Sequence, residues 1–429
     1  MKKVFLLFSI GVSFIACAQK TGSIINVKEV QRVETALASD DMRGRKAGSP
    51  DIDRAAQFIA DEFKKTGLQP VNGDSYLQEF IMVRSNLKSV KGEVDDYELD
   101  PKNIIVVSQE EELKIDEKSG YEVQYVKAGE DIRKRVSEIM AMKKNTLVFI
   151  DTGFNKMFAR LGGFKRPYFK SEKKESPNVI YVLGMFQPKE FKIKAEQSFE
   201  ESKYANVVGI LPGRSRKNEY VIFSGHYDHL GVGKPQEGDS IYNGANDDAA
   251  GTTAVILLAK HFKKLHNNQR TLVFVAFTAE EIGGFGSQYF SKQYDPKQVM
   301  AMFNIEMIGT DSKWGKNSAY ITGYEKTNMG KILQKNLKGT SFSFYPDPYT
   351  DQNLFYRSDN ATLARLGVPA HTISTSKMDN EPNYHQLSDE VKTLDMKNMA
   401  AIIEAIAASS RSIISGVDTP TRVKTEDLK

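Results

Sequence analysis

Four short segments of this sequence place histidine or carboxylate side chains in or just past predicted strands, and a fifth lies in a predicted loop. The segments are residues 225–229, 244–251, 278–281, 304–306 and 384–389. In open α/β sheets, ligands collect at the carboxyl ends of strands, so we expect these side chains to meet. Imidazole and carboxylate donors suit zinc, manganese or cobalt better than a metal that prefers thiolates. The pattern therefore predicts a site for divalent cations.

The first two segments supply a histidine and a bridging carboxylate. His226 is a natural zinc ligand through a neutral ring nitrogen, and Asp228 is expected to support and orient it. Asp247 lies among glycines and alanines and could bridge two cations, because a carboxylate has two oxygens. An alternative for this segment is a simple helix cap, formed by Asp248 or Thr252.

The next two segments place carboxylates beside apolar runs. Glu280 and Glu281 follow the run 272–277, and burying both is costly unless positive charge lies nearby. One can bind a cation while the other acts as a general base on a metal-bound water; the alternative is two glutamates that open a helix. Glu306, in a strand predicted at 302–308, needs either a cation or a buried salt bridge to Lys or Arg.

The last segment contributes His385, which lies in a predicted loop where a ligand can be aimed. Asp389 is expected to support it, and His371, inside a predicted strand, is interpreted as a core or pocket histidine. The remaining histidines are interpreted as structural or surface residues: His229, His261 and His266. The sequence contains no HExxH, G-x-S-x-G, Walker A or dinucleotide-binding motif.

Five motifs of this sequence, in their order along the chain, resemble those of the co-catalytic zinc exopeptidases, the family that includes aminopeptidase Y and glutamate carboxypeptidase II. The motifs are GHYDH, GANDDAAG, AEEIGGFGS, NIEMIG and NYHQLSD. The resemblance covers residues 27–83 and 206–416. It implies two zinc ions per chain, with Glu280 as general base. The implied metal ligands are His226 and Glu306 for one ion, Glu281 and His385 for the other, and Asp247 between them.

The sequence departs from this family at two positions. Glu306 stands where the family usually has Asp, and it is one methylene longer. Asn360 replaces the usual His after Ser358 and Asp359, in a segment that resembles part of the family's substrate pocket. The first departure concerns a metal ligand, and the second leaves the role of the pocket segment open.

The resemblance implies a metal-dependent exopeptidase with peptide substrates, and we favour the interpretation that it is an aminopeptidase. A glutaminyl cyclase of the same fold, which would use one zinc, stays open. So does a carboxypeptidase or dipeptidase, in which Arg357 or Arg365 could bind a terminal carboxylate. A non-catalytic binding protein on the same fold is a further alternative, although it would be expected to have lost ligands.

Strands that alternate with helices from residue 206 predict an α/β fold, with a mostly parallel mixed sheet and helices on both faces. A closing helix is expected at 394–414. The predicted organisation is a zinc peptidase domain at 19–84 and 205–416, an inserted β-rich module at 85–204 and a polar, frayed tail at 417–429. The module resembles in position the protease-associated domain of relatives and is either a lid or a decoration of the core.

The first 18 residues are typical of an export signal. Basic residues after Met1 precede an apolar run, 4–15, that is too short to span a membrane. Cleavage after Ala18 and lipidation of Cys17 are both compatible with the sequence. Cys17 is the only cysteine, so the mature chain has no internal disulfide. We expect an exported protein that is periplasmic, a surface lipoprotein or secreted, with membrane contact only through Cys17.

Charge and composition exclude some classes of partner. The chain has 59 basic and 55 acidic residues and a formal net charge of +4. This near balance predicts no nucleic-acid partner, and the Lys-rich segment 170–174 is interpreted as a solvated loop.

Overall fold

The computed structural model describes residues 23–162, 167–172 and 176–428. The predicted export signal, with Cys17 and Ala18, and part of the Lys-rich segment therefore lie outside the described residues. Within the described ranges, no helix combines the length and apolar character needed to cross a membrane.

From α5 onward, the helices and strands largely alternate along the chain. The α-helices are α1 (Val27–Leu37), α2 (Pro50–Thr66), α3 (Ile132–Ala141), α4 (Asn155–Leu161), α5 (Ala250–Leu265), α6 (Phe285–Ser291), α7 (Met329–Asn336), α8 (Asn360–Ala364), α9 (Met396–Ser409) and α10 (Arg411–Ile414). The strands are β1 (Gln69–Pro70), β2 (Leu77–Val94), β3 (Tyr97–Leu99), β4 (Ile104–Val107), β5 (Glu112–Asp116), β6 (Glu122–Val126), β7 (Thr146–Ile150), β8 (Tyr168–Phe169), β9 (Val179–Leu183), β10 (Phe191–Leu211), β11 (Arg216–His226), β12 (Gly231–Gln236), β13 (Asp239–Tyr242), β14 (Arg270–Phe277), β15 (Val299–Ile305), β16 (Ser318–Ile321), β17 (Ser343–Pro346) and β18 (Ala370–Ser374).

One large mixed sheet forms the centre of the molecule. Its order is β17-β16-β18-β15-β11-β14-β10-β2-β3, with β1 and β5 paired to β10 and β8 paired to β2. The central strands β18, β15, β11 and β14 are parallel. Strands β10 and β2 continue the sheet in antiparallel pairing. The predicted α/β class with a mostly parallel centre is confirmed.

Strand β14 shows why the sheet is covered on both faces. All eight of its residues are buried. Leu272, Phe274 and Ala276 face the core that contains α1, α2, α5 and α9. Val273, Val275 and Phe277 face a second core, which includes residues of α6 and α8. Because side chains alternate between the two faces of a strand, a continuous apolar run is what a strand between two helical layers requires.

Two predicted elements differ from expectation, one in where it ends and the other in its continuity. Strand β15 ends at Ile305, so Glu306 lies just after the strand and not within it. Met307 adopts a left-handed φ of 53°, which an extended strand cannot continue through. The predicted closing helix is divided at Ser410 into α9 and α10. The hydroxyl groups of Ser409 and Ser410 donate to carbonyl groups of the preceding turn, a contact that competes with helical hydrogen bonding.

The segment expected to be an inserted module has a core of its own. A mixed sheet of order β4-β9-β7-β6 packs against the long ribbon of β2 and β10, with β3 and β5 beside it. Helices α3 and α4 cover the other face of this smaller sheet. Strands β2 and β10 run across residues 84 and 204, where we expect the domain boundaries. The division into two units therefore stays a prediction.

The tail after Gly416 packs against the protein, so the expectation of a frayed tail is wrong for the described residues. Arg270 is buried and donates to Asp418 O over 2.9 Å and to Thr419 Oγ1 over 2.5 Å. Val423 is also buried. The polar composition of the tail suggested solvation, but a buried guanidinium needs acceptors and these residues supply them.

Removing residues 417–429 should destabilise the protein. The truncated chain loses two acceptors of Arg270, and a hydrogen bond to a charged group contributes roughly 1.5–3 kcal/mol. We expect the free energy of unfolding in urea to fall by about 2–4 kcal/mol. The control is Val417→Ala, because Val417 is 79% exposed and such a change stays within about 0.5 kcal/mol. Equal urea midpoints for the truncated and full chains would contradict this account of the tail.

Candidate metal centre

All five predicted metal ligands lie at the carboxyl edge of the parallel strands. His226 is the last residue of β11, Glu281 follows β14 and Glu306 follows β15. Asp247 lies in a single turn, Ala245–Ala249, that precedes α5, and the Asp247–Asp248 peptide bond is cis. His385 lies in the loop between β18 and α9, with a left-handed φ of 57°. The sheet topology thus brings together residues that are up to 159 positions apart, from 226 to 385.

Asp247 stands between two groups of possible ligands. On one side, donor atoms of His226, Asp247 and Glu306 lie within 4.8 Å of one another. On the other side, donor atoms of Asp247, Glu281 and His229 do the same. The two oxygens of Asp247 are divided between the sides: Oδ1 is 3.1 Å from His226 Nε2, and Oδ2 is 3.2 Å from His385 Nε2.

The histidine nitrogens are arranged as metal ligands would be. His226 Nε2 and His385 Nε2 are buried and have no hydrogen-bond partner, although carboxylate oxygens lie 3.1–3.2 Å away. His385 Nε2 also lies 3.1 Å from Glu281 Oε2. At these separations the contacts fail on direction, which is expected when a nitrogen and an oxygen both point at a common centre. Imidazole nitrogen and carboxylate oxygen are the donors that zinc takes in catalytic sites, so the residues present fit zinc.

A buried carboxylate ties three of these loops together. Asp248 accepts the backbone N–H of His226 over 3.1 Å, and those of Gly251 and Met307 over 3.0 Å each. The three amides belong to the end of β11, the start of α5 and the residue after Glu306. Asp248 therefore fixes the relative positions of three segments that carry ligands. The helix-cap alternative is also partly right, since the Gly251 bond lies at the start of α5.

Asp389 and Asp228 hold two further segments by the same means. Asp389 accepts the backbone N–H groups of Asn246 and Asp247 over 2.8 and 3.0 Å. Asp228 accepts those of Glu280 and Glu281 over 3.1 and 3.3 Å. The expected support of His226 comes mainly from the Asp228 carbonyl oxygen, 3.1 Å from Nδ1, with carboxylate Oδ1 at 3.7 Å. The Asp228 carboxylate thus serves chiefly to position the glutamate pair.

The structure adds Arg45 as a supporting residue, which the sequence patterns did not identify as part of the site. Its buried guanidinium donates to the carbonyl oxygens of Tyr227, Asn243 and Gly244 over 2.6–2.9 Å. These carbonyls flank His226 and Asp247 in the chain. Arg45 stands in the basic segment 43–46, which is typical of a protein surface, and only the fold shows that its donors are directed at ligand loops.

Glu306 has a hydroxyl partner. Ser358 Oγ donates to Glu306 Oε2, and Asn304 Nδ2 donates to Ser358 Oγ over 2.7 Å. No Lys or Arg forms a salt bridge with Glu306 among the described parts of the chain. The structure therefore does not support the salt-bridge alternative for Glu306.

The electrostatics of the site reflect crowded, buried acids. Burial raises the pKa of Glu306 to about 7 and that of Asp359 to about 6. Burial also raises the pKa of Glu280 well above its ordinary value. For Asp247, burial acts in the same direction, but the nearby rings of His226 and His385 outweigh it and hold its pKa far below the usual range. Several of these carboxyl groups therefore resist ionisation unless a cation is present.

Two histidine interpretations have different outcomes. His371 is a core residue as predicted: its ring contacts Thr322 O and Thr327 Oγ1, each over 2.8 Å, and burial lowers its pKa to about 4. The interpretation of His229 as structural or surface is wrong in one respect, because its ring is buried in the candidate site, 2.8 Å from Glu281 Oε1. The motif GHYDH contained this residue, but its position three residues after His226 did not reveal which way the ring points.

Known peptidases are similar to this chain in sequence. The model of peptidase family M28 matches residues 206–410. The leucine aminopeptidase 1 of Metarhizium robertsii is 24% identical over 282 residues, which cover 61% of this chain and 68% of that protein. The leucine aminopeptidase 1 of Paracoccidioides brasiliensis is 26% identical over 209 residues, 45% of this chain and 51% of that protein. The chain thus matches between about half and two thirds of the length of these relatives.

A solved structure shares the fold over nearly the whole chain. The zinc aminopeptidase from Bacillus subtilis superposes with a TM-score of 0.54 at 17% sequence identity. The match covers 94% of this chain and 99% of that one. At this identity the similarity concerns the fold, and it extends beyond the 206–410 segment to the elements that precede it.

Zinc should stabilise the protein more at pH 8 than at pH 5.5. Without metal, Glu306 and Asp359 have pKa values of about 7 and about 6, above their ordinary values of 4.5 and 3.8. Such groups bind more protons folded than unfolded, so the stability of the metal-free protein falls as pH rises through this range. A cation favours the ionised carboxylates and removes this loss. We expect the difference in Tm between zinc-loaded and metal-free protein, measured by calorimetry, to be clearly larger at pH 8.

At each pH the Tm of the zinc-loaded protein is compared with that of the metal-free protein. Groups that titrate elsewhere in the molecule affect both Tm values equally, so their contribution cancels. An equal zinc-induced shift in Tm at pH 5.5 and pH 8 would contradict the assignment of these carboxyl groups to the metal centre.

Proposed function

Residues 206–410 belong to peptidase family M28, and we propose that this chain is a zinc-dependent aminopeptidase that removes N-terminal residues from peptides. One observation carries the proposal. Asp247 divides its two oxygens between two groups of ligand-type atoms, and the adjacent pair Glu280 and Glu281 places a second carboxylate at the same centre. Two cations sharing one carboxylate, with a base beside them, form an arrangement suited to hydrolysis.

We assign the metal ligands from these contacts. Each cation takes a carboxylate and a histidine in addition to the shared Asp247: His226 with Glu306 on one side, and Glu281 with His385 on the other. When bound, zinc polarises the peptide carbonyl group and lowers the pKa of water to about 7. The longer Glu306 side chain is held by Ser358, so the departure from Asp is accommodated by a defined hydrogen bond.

Glu280 is the residue we assign as general base. Its backbone N–H is fixed by Asp228, while its carboxylate forms no hydrogen bond within the described residues, so it remains available for substrate and water. Burial raises its pKa, which brings its proton affinity closer to neutral pH. Glu280 would take a proton from the attacking water and deliver it to the leaving amine.

The charge of the site favours an N-terminal substrate. Glu280, Glu306 and Asp359 present carboxylates on the side of the centre next to His226. The carboxylates there that are not assigned to a cation, Glu280 and Asp359, can pair with an α-ammonium group. Arg365, one of the two residues considered for binding a terminal carboxylate, lies over the ring of Tyr356 at 5.8 Å. The names of the relatives, leucine aminopeptidase and zinc aminopeptidase, point the same way.

A small cavity beside Glu306 is a suitable place for the first side chain of the substrate. It has a volume of about 40 Å³, and its walls include Met307, Leu354 and Met378. Arg357, the other candidate for binding a carboxylate, also lines it but is an exposed residue. The lining of the cavity also includes Ser358, Thr372 and Ser374, so a substrate side chain there would meet polar as well as apolar groups.

Export is proposed from the sequence alone. The signal-like segment and the single cysteine at position 17 support an exported chain, with the finer choice between a lipid anchor and release after Ala18 still a prediction. Relatives include a protein named vacuolar membrane protease.

The function is tested with aminoacyl p-nitroanilides and short peptides. We expect hydrolysis of substrates with a free α-amine, no hydrolysis after N-acetylation, and little effect of C-terminal amidation. Chelation should abolish activity and zinc should restore it. Glu280→Gln should lower kcat by about 10²–10⁴-fold with zinc content unchanged, because only the base is removed.

Glu325→Gln is the matched control, since the Glu325 side chain is 74% exposed and away from the site. Release of C-terminal residues blocked by amidation would identify a carboxypeptidase instead. Cyclisation of N-terminal glutamine without amide hydrolysis would identify a cyclase, and undiminished turnover by Glu280→Gln would refute its role as base.

A further inference from the structure

His229 is a buried histidine of the metal centre that the five ligand assignments do not use. It follows β11, three residues after His226, and its side chain is fully buried. Its ring lies edge-on to that of His385, with centroids 5.7 Å apart. A Cβ at Gly244 would lie 2.5 Å from His229 Cγ, so the close backbone approach at Gly244 holds the ring in place.

The two oxygens of Glu281 have different partners. Glu281 Oε2 lies 3.1 Å from His385 Nε2 without a hydrogen bond, the relation found for the other ligand pairs. Glu281 Oε1 lies 2.8 Å from His229 Nδ1, and this contact does have hydrogen-bond geometry. One oxygen is thus directed at the cation position, and the other is held by an imidazole.

We propose that His229 is a positioning residue, which donates its Nδ1–H to Glu281 Oε1 and so presents Oε2 to the second zinc ion. The inference rests on the proposed two-zinc site and adds a residue to it. A carboxylate ligand whose free oxygen is fixed in this way loses less conformational freedom when the metal binds. Partners of this kind typically contribute about 10–100-fold in metal affinity.

The rival interpretation makes His229 a ligand itself, because its Nδ1 can be grouped with oxygens of Asp247 and Glu281. Distance argues against this. His229 Nδ1 is 3.9 Å from Asp247 Oδ2, whereas His385 Nε2 is 3.2 Å from the same oxygen. We therefore assign His385 Nε2, and not His229 Nδ1, to the same cation position as Asp247 Oδ2. The close carboxylate contact of His229 Nδ1 is with Glu281 Oε1.

The two interpretations separate in a pair of variants. His229→Asn places an amide N–H donor near the position of Nδ1, but a neutral amide nitrogen does not bind zinc. His229→Ala removes the donor altogether. We expect His229→Ala to weaken binding of one of the two zinc ions by about 10–100-fold and leave the other unchanged, with His229→Asn recovering most of the affinity. The matched control is His266→Asn, the same chemical change at an exposed histidine.

Affinities are measured by competition with a chromophoric chelator on the full chain, and the visible spectrum of Co²⁺ loaded into the weaker site reports its ligands. The spectrum of His229→Asn should match that of the parent. Calorimetry of the metal-free variants separates a loss of folding from a loss of binding.

Each outcome decides one question. If the parent protein binds fewer than two zinc ions, the proposed function fails before the variants are considered. If the parent binds two and His229→Ala binds them equally well, His229 has no positioning role. If His229→Asn loses affinity as severely as His229→Ala and its Co²⁺ spectrum changes, His229 is a ligand and the proposal is overturned.

Discussion

Buried negative charge at one edge of the sheet is the constraint on which the rest of this structure depends. The acids Asp228, Asp247, Asp248, Asp359 and Asp389 are each at most 3% exposed, and three glutamates lie beside them. The fully buried arginines of the described chain do not balance them. Arg45 donates to carbonyl oxygens, and Arg270 lies at the opposite end of β14, paired with Glu219. Burying unpaired carboxylates is costly, and divalent cations resolve the cost at the point where the oxygens converge.

The fold answers this constraint with backbone amides as well as with metal ligands. Asp248, Asp389 and Asp228 each accept at least two N–H groups from loops that carry ligands. These carboxylates therefore fix the strand ends and the turn before α5 relative to one another. These contacts are made by the protein alone, so they can arrange the ligands before zinc binds. Such prior arrangement is what allows a site to bind its metal without reorganising.

Much of the sheet, and the meeting of the five proposed ligands at one of its edges, could be predicted because both depend on local pattern. The buried run of β14 and the motifs that follow each strand are visible in the sequence, and parallel strand ends must meet at one edge. Packing between residues that are far apart in the chain is harder to predict from the sequence. The end of β15 before Glu306 depends on Met307, whose N–H is bound to Asp248. The packing of the tail depends on Arg270, about 150 residues away from its acceptors in sequence.

His229 shows the same limit inside the site itself. His229 belongs to the motif GHYDH, which is visible in the sequence. The position of Gly244 and the fold of the Glu281 loop determine that its ring points into the site. Arg45 is a similar case, because its donors reach carbonyls contributed by residues far away in the chain. Residues that contact the metal are constrained by chemistry and therefore show motifs. Residues that position them are constrained by three-dimensional packing and show weaker ones.

The most direct test of the account is anomalous diffraction at the zinc edge from crystals of the zinc-loaded protein. The account predicts two anomalous peaks on either side of Asp247, one beside His226 and Glu306 and the other beside Glu281 and His385. A single peak, or peaks away from Asp247, would contradict the claim that two cations neutralise these buried carboxylates.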